Sequence, residues 1–101
     1  IAPEPKELVI IKPTYDAFFN TRLDLVLRNL TVETVIICGT MTNFCCGATA
    51  RSAFMLGYNV VFGSDINATD LPEMQEAEIK TLRRGFAQIR TADEIIARLK
   101  K

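Results

Sequence analysis

The residues best suited to chemistry lie in one turn, around Cys45 and Cys46. The β-branched run at 34–38 upstream of the turn predicts a buried strand, and small and apolar residues at 48–56 predict a helix. Unpaired backbone N–H groups and the positive end of the helix dipole favour the thiolate form of a cysteine near a helix start. Because the thiolate is the nucleophilic form, Cys45 is a candidate for covalent catalysis. Packing as a small buried hydrophobe is the equally supported alternative for both cysteines.

The composition is that of an ordinary globular domain and argues against several classes of function. The 101 residues suffice for one small domain, and 49% of them are hydrophobic. Twelve basic and twelve acidic residues form no long run, which argues against a nucleic-acid or membrane partner. Three cysteines make a poor disulfide framework, so we expect a reducing, cytoplasmic compartment. Histidine and C-x-x-C spacing are both absent, so we expect no metal site and no cofactor.

Strand and helix patterns alternate along the chain. Apolar runs predict strands at 8–11, 32–38, 59–62 and 87–91, and helical spacing and capping signals predict helices at 21–30, 48–56, 73–84 and 91–100. This alternation predicts an α/β fold of three layers, with a parallel sheet and helices on both faces. Ligands bind such sheets at the carboxyl ends of the strands, so we expect Lys12, the turn at 40–45 and Asp65 to share one edge. The continuous run at 8–11 is typical of a strand buried on both faces.

The turn also fits the spacing of a phosphatase loop. In the C-x5-R-[ST] pattern, here 45–52, backbone N–H groups and Arg51 would bind a phosphate while the thiolate attacks phosphorus. Such a loop needs glycines in its later positions, but positions 48–50 hold Ala, Thr and Ala, which favour an ordinary helix. On that helix Arg51 lies more than one turn from Cys45 and is expected to face solvent or a neighbouring subunit. The phosphatase interpretation is therefore the weaker one.

Segment 39–54 resembles the signature of the isochorismatase-like cysteine hydrolases, with the sequence GTMTNFCCGATARSAF. Three further parts of the chain resemble motifs of that family and occur in the same order. They are Lys12 together with residues 15–23, residues 57–65 and residues 91–94. The resemblance covers nearly the whole chain. It implies that residues 1–101 are the C-terminal portion of a single isochorismatase-like domain. The N-terminal segment of that domain, or a separate chain that carries it, would then be a further partner. Such a portion should expose a sheet edge and be unstable alone.

The resemblance also implies a site and a reaction. Cys45 would attack a small amide, cleaving its C–N bond through a thioester acyl-enzyme, and Lys12 would hold the thiolate and the proton network in place. Backbone N–H groups of Met41 and Cys45 would form the oxyanion hole, beside a cis peptide bond between Thr40 and Met41. The residues expected to bind the substrate are Tyr15, Phe18, Thr42 and Phe44. For the aromatic residues among them, packing in the core is the alternative.

Departures from the family pattern keep a non-catalytic alternative open. The catalytic Asp of the family ends a strand upstream of the residues present, and neither Asp16 nor Asp65 matches its position. The metal-binding histidines of the nicotinamidase branch have no counterpart either. Without the Asp, the chain would serve as a binding or assembly subunit, and the resemblance implies a homo-oligomer. Cys38, inside a predicted strand, and Cys46, on the helix, are expected to be buried and structural.

Overall fold

Three parallel strands form the sheet of the computed structural model, which describes residues 2–100. The strand order is β1-β2-β3, and both strand pairs are parallel, as predicted. The elements in chain order are α1 (Leu23–Asn29), β1 (Thr34–Thr40), a π-helical turn (Thr42–Cys46), α2 (Gly47–Met55), β2 (Asn59–Ala68), α3 (Pro72–Gly85), β3 (Gln88–Arg90) and α4 (Ala92–Leu99). None of the helices in this described range is long and apolar enough to cross a membrane.

The core lies between one face of the sheet and the helices α2 and α3. Phe62 of β2 and Leu82 of α3 are fully buried there, and the small side chain of Ala50 brings α2 close to the sheet. Side chains alternate along a strand, so Val61 points to the opposite face, where it lines a groove together with Ile95 of α4. The sheet therefore has helices on both faces, which confirms the predicted three-layer α/β architecture.

The apolar run at 8–11 is not a strand, so this prediction is wrong. Leu8, Val9 and Ile11 are exposed, Ile11 by 86%. The run lies outside the strand order β1-β2-β3 of the described residues. Strand backbone needs a neighbour to satisfy its N–H and C=O groups, and apolar composition alone does not supply one.

Strand β2 extends six residues beyond its predicted end. The pairing with β1 shifts register between Ile37, which pairs with Phe62, and Gly39, which pairs with Asn67. Residues 63–66 of β2 therefore form a bulge. The side-chain nitrogen of Asn67 closes it by donating to the carbonyl of Ile37 at 3.0 Å and to that of Gly63 at 2.7 Å. This closing contact is not visible in the apolar pattern that predicted the strand.

Asp65 lies within this bulge and contacts the start of α4. Its carboxylate accepts the backbone N–H of Ala92, at the start of α4, at 2.8 Å. Helix α4 follows the carboxyl end of the parallel strand β3. The contact therefore lies on the edge of the sheet expected for Asp65, where its carboxylate anchors α4.

Candidate active site

Cys45 belongs to the π-helical turn between β1 and α2. Helix α2 begins only at Gly47, so Cys45 lies just before the helix rather than within its first turn. Its side chain is partly exposed. The strand–turn–helix sequence around it was predicted from the apolar pattern, whereas the π-helical form of the turn was not.

The backbone expected to form an oxyanion hole belongs to the same turn. The peptide bond between Thr40 and Met41 is cis, as the resemblance implied. The carbonyl of Met41 accepts the N–H groups of Phe44 and Cys46, each at 3.1 Å. These bonds fold the chain back on Met41, so the N–H groups of Met41 and Cys45 belong to one tightly wound segment.

Lys12 reaches the candidate nucleophile from the far end of the chain. Its Nζ atom lies 3.6 Å from Sγ of Cys45, within hydrogen-bond range for sulfur, and donates to the carbonyl of Thr14 at 2.8 Å. The fold thus brings together two residues that lie 33 positions apart.

The other two cysteines have different surroundings. Cys46 is only 5% exposed, and burial together with the neighbouring Cys45 and Cys38 thiols raises the pKa of Cys46 to about 11. Cys38 was predicted to be buried, but it is exposed on β1, which is the first strand of the described sheet. Cys45 alone of the three thiols is both accessible and paired with a cation. Within residues 2–100, no three Cys, Asp or Glu side chains are grouped so as to hold a metal ion.

Two aromatic rings form an open stack at the turn. The ring centroids of Tyr15 and Phe44 are 5.4 Å apart with 19° between the planes, and both side chains are about half exposed. Phe44 precedes Cys45 in the turn, and Tyr15 follows Lys12 by three residues. The stack is a flat apolar surface adjoining the thiol–ammonium pair.

Phe18 and Thr42, also expected to contact a substrate, have their side chains engaged within the protein. Phe18 stacks on Tyr58 with centroids 5.8 Å apart and packs against the core, which was the alternative for the aromatic residues. Thr42 is fully buried and donates its hydroxyl to Oε1 of Gln75 at 2.5 Å. Both side chains are therefore engaged in contacts within the chain.

Hydrogen bonds to α2 hold the aromatic loop that carries Tyr15. Asp16 accepts the hydroxyl of Ser52 at 2.5 Å, and the hydroxyl oxygen of Thr49 accepts the N–H of Ala17 at 2.9 Å. Sequence patterns did not indicate these partners, because the contacts join residues more than 30 positions apart. They fix the loop on the helix that follows the cysteine turn.

Arg51 has a partner within the chain, so the expectation of solvent or a neighbouring subunit is wrong. Its guanidinium donates to both carboxylate oxygens of Glu78 on α3, at 2.6 and 2.9 Å, and lies 5.3 Å from the ring centre of Phe86. The hydrogen bonds to Glu78 raise the pKa of Arg51. A phosphatase would need this guanidinium for the phosphate, so its engagement weighs further against that interpretation.

Known sequences match this chain over most of its length. The family model described as Isochorismatase domain matches residues 1–94. Nicotinamidase 3 from Arabidopsis thaliana is 44% identical over 91 residues, which are 90% of this chain and 46% of that protein. Ureidoacrylate amidohydrolase RutB from Azorhizobium caulinodans is 34% identical over 92 residues, which are 90% of this chain and 40% of that protein.

Solved structures match the fold closely. An isochorismatase-like hydrolase from Alkaliphilus metalliredigens has a TM-score of 0.94 at 31% identity, over 98% of this chain and 55% of that one. A cysteine hydrolase from Pseudomonas syringae pv. phaseolicola 1448A has a TM-score of 0.93 at 35% identity, over 98% of this chain and 52% of that one. The chain thus spans about half the length of the relatives it matches. The family match over residues 1–94 and these similarities show that the chain belongs to the isochorismatase domain family.

Proposed function

We propose that this chain supplies the nucleophile of a hydrolase that cleaves the C–N bond of a small amide. The observation that carries the proposal is the 3.6 Å contact between Nζ of Lys12 and Sγ of Cys45. Relatives named Nicotinamidase and Ureidoacrylate amidohydrolase support an amide as the substrate. The open stack of Tyr15 and Phe44 supports a small planar one, because flat rings bind against aromatic faces.

In the proposed reaction, the thiolate of Cys45 attacks the carbonyl carbon of the amide and a C–S bond forms. The carbonyl oxygen takes up the electron pair, and the N–H groups of Met41 and Cys45 donate to it. The C–N bond then breaks, the leaving amine takes a proton from a carboxylic acid, and a thioester remains. Water hydrolyses the thioester to a carboxylate and frees the thiol. The role of Lys12 is to hold the thiolate before attack.

The proton-transferring carboxylate of this proposal lies outside residues 2–100. Within that range, the polar partners of the Lys12 ammonium are the carbonyl of Thr14 and Sγ of Cys45, and neither is a carboxylate. We propose that a further segment or a second subunit of a homo-oligomer supplies it. Free thiols at all three cysteines suit a reducing compartment, so we propose the cytoplasm as the location.

A non-catalytic binding or assembly subunit is the second candidate function. The lack of a carboxylate at the thiol–ammonium pair favours this function. Among the described residues, no carboxylate contacts Lys12 or Cys45. Such a subunit would retain the fold and the aromatic stack but would form no covalent adduct with an amide.

Trapping of an acyl-enzyme separates the two candidates. The protein is mixed with nicotinamide, ureidoacrylate or another small amide, then quenched in acid for peptide mass spectrometry, while released ammonia or amine is measured. We expect a mass increase on the peptide of Cys45, and no increase and no product in Cys45→Ala. Cys38→Ser is the matched control and should behave as the wild type does. If no amide yields adduct or product, the non-catalytic function is favoured.

A further inference from the structure

Gln75 of α3 joins the cysteine turn to the end of β2. Its Oε1 accepts the hydroxyl of Thr42 at 2.5 Å, and its Nε2 donates to the backbone carbonyl of Asn67 at 3.1 Å. A primary amide has both a donor and an acceptor, so a single side chain satisfies the two buried groups. Neither a catalytic motif nor the apolar pattern indicated Gln75.

Both partners of Gln75 are at least nine-tenths buried. Thr42 has no accessible surface, and Asn67 is 5% exposed. Asn67 also donates its side-chain N–H groups to the carbonyls of Ile37 and Gly63. One continuous set of hydrogen bonds therefore runs from β1 through β2 and α3 to Thr42, where the turn begins. Buried networks of this kind restrict local geometry, because breaking them leaves polar groups unpaired away from water.

We propose that Gln75 is a positioning residue for the nucleophile. Through Thr42 it would fix the turn at 42–46 so that Sγ of Cys45 faces Nζ of Lys12. A second side-chain contact of the turn, between Asn43 and Thr69 at 2.7 Å, is less buried. The inference rests on the proposed function, since a position matters only if the thiol reacts.

Alkylation of Cys45 by iodoacetamide tests the proposal, with labelled peptides quantified by mass spectrometry well below the unfolding temperature. Gln75→Met and Thr42→Val each remove the hydrogen bond between these two residues. We expect each to slow alkylation of Cys45 at pH 7 by about three- to tenfold, the range that loss of one hydrogen bond allows, and to change its pH profile. The double variant should stay within about twofold of Gln75→Met, because both changes remove the same bond.

Two conservative variants provide the controls. Thr42→Ser keeps the hydroxyl and should restore the wild-type profile, and Gln88→Met makes the same exchange at an exposed position of β3. The proposal is wrong if Gln75→Met and Thr42→Val lower the melting temperature but leave the pH profile of Cys45 unchanged. If Gln75→Met does not fold, the comparison of Thr42→Val with Thr42→Ser decides. The proposed function is judged separately, from the wild type alone. If Cys45 of the wild type reacts only as fast as a free cysteine, that result counts against the proposed function and not against the role of Gln75.

Discussion

The three cysteine thiols of this chain lie in three different environments. Sγ of Cys45 is 3.6 Å from the ammonium group of Lys12, the thiol of Cys46 is buried, and that of Cys38 is exposed on β1. The sequence motif distinguished Cys45 from Cys46 by position only. The structure adds a physical difference, because burial raises the pKa of Cys46, whereas Cys45 is partly exposed and lies beside a cation.

Cys46 should stay unmodified under native conditions. Its pKa is raised to about 11, so the thiol is neutral at pH 7 to 8, and burial also blocks the reagent. Peptide mapping after iodoacetamide treatment should find label on Cys46 only after unfolding in urea. Native labelling of Cys46 at pH 8 as fast as that of the exposed Cys38 would contradict this assignment.

Gly47 follows the cysteine pair at a position where a side chain does not fit. A Cβ atom there would lie 1.8 Å from a carboxylate oxygen of Glu78 and 2.9 Å from the carbonyl oxygen of Thr42. We expect Gly47→Ala to lower the free energy of unfolding by about 1–3 kcal/mol, the usual cost of overpacking. Gly85→Ala is the control, because a Cβ there meets nothing within 4 Å. Urea unfolding of both variants measures the difference, and equal stabilities would be the contrary result.

At the scale of elements, one ion pair holds α2 to α3. The bidentate contact of Arg51 with Glu78 is partly buried, with the side chains 31% and 11% exposed. We expect Arg51→Ala to lower the free energy of unfolding by about 1–2 kcal/mol, less than a fully buried pair would cost because solvent screens the arginine. Lys80→Ala, which removes the exposed pair with Glu76, should have no measurable effect in the same urea titration.

Arg51→Ala also separates the proposed hydrolase from a phosphatase. In the hydrolase the guanidinium has no contact with the reacting thiol, so alkylation of Cys45 and any amide hydrolysis should persist in the folded variant. A phosphatase would lose its phosphate-binding side chain and with it all activity. Loss of Cys45 reactivity in folded Arg51→Ala would contradict a purely structural role for the ion pair.

The start of α4 carries a pH-dependent contact. The hydroxyl of Thr91 accepts the N–H of Glu94, and the Glu94 carboxylate accepts the N–H of Thr91, which lowers the pKa of Glu94. Because the folded state lowers this pKa, the carboxylate stabilises the fold above its unfolded pKa and loses that effect as pH falls through the folded pKa. Glu94→Ala should therefore melt below the wild type at pH 7. The two melting temperatures should converge in acid, and a constant difference down to about pH 2 would contradict the assignment.

Local signals predicted some of these elements and long-range pairing decided the others. The capping box at Thr91 was predicted correctly because its bonds span three residues. The run at 8–11 has an equally strong apolar pattern, yet strand formation depends on a neighbour that no local pattern specifies. The same applies to the site, where the motif indicated Cys45 and Lys12 but not Gln75, whose role depends on how α3 packs.

The whole molecule leaves much apolar surface uncovered. Ile11 is 86% exposed, Ile36 on β1 is 40% exposed, and Leu99 of α4 is also exposed. Strand β1, which carries Ile36, is an edge strand of the described sheet. Exposed apolar edges and faces favour association of chains.

Ile11→Lys should reduce association without loss of stability. The Ile11 side chain makes little contact in the folded chain, so a charged replacement reduces the exposed apolar surface with little loss of packing. Sedimentation velocity at several protein concentrations should show less material in large species, with an unchanged urea midpoint. The contrasting variant Ile95→Lys, at a buried position of α4, should unfold. A destabilised Ile11→Lys would show that this side chain is covered in solution.

The claim that Cys45 and Lys12 act together is tested most directly by competition among the three thiols. Limiting iodoacetamide at pH 7 is followed by peptide mass spectrometry on the wild type, Lys12→Met and the exposed control Lys6→Met. We predict that Cys45 is labelled first in the wild type and in Lys6→Met, and that its advantage over Cys38 disappears in Lys12→Met. Labelling of Cys45 no faster than Cys38 in the wild type, or an advantage that survives in Lys12→Met, would contradict the joint action of the two residues.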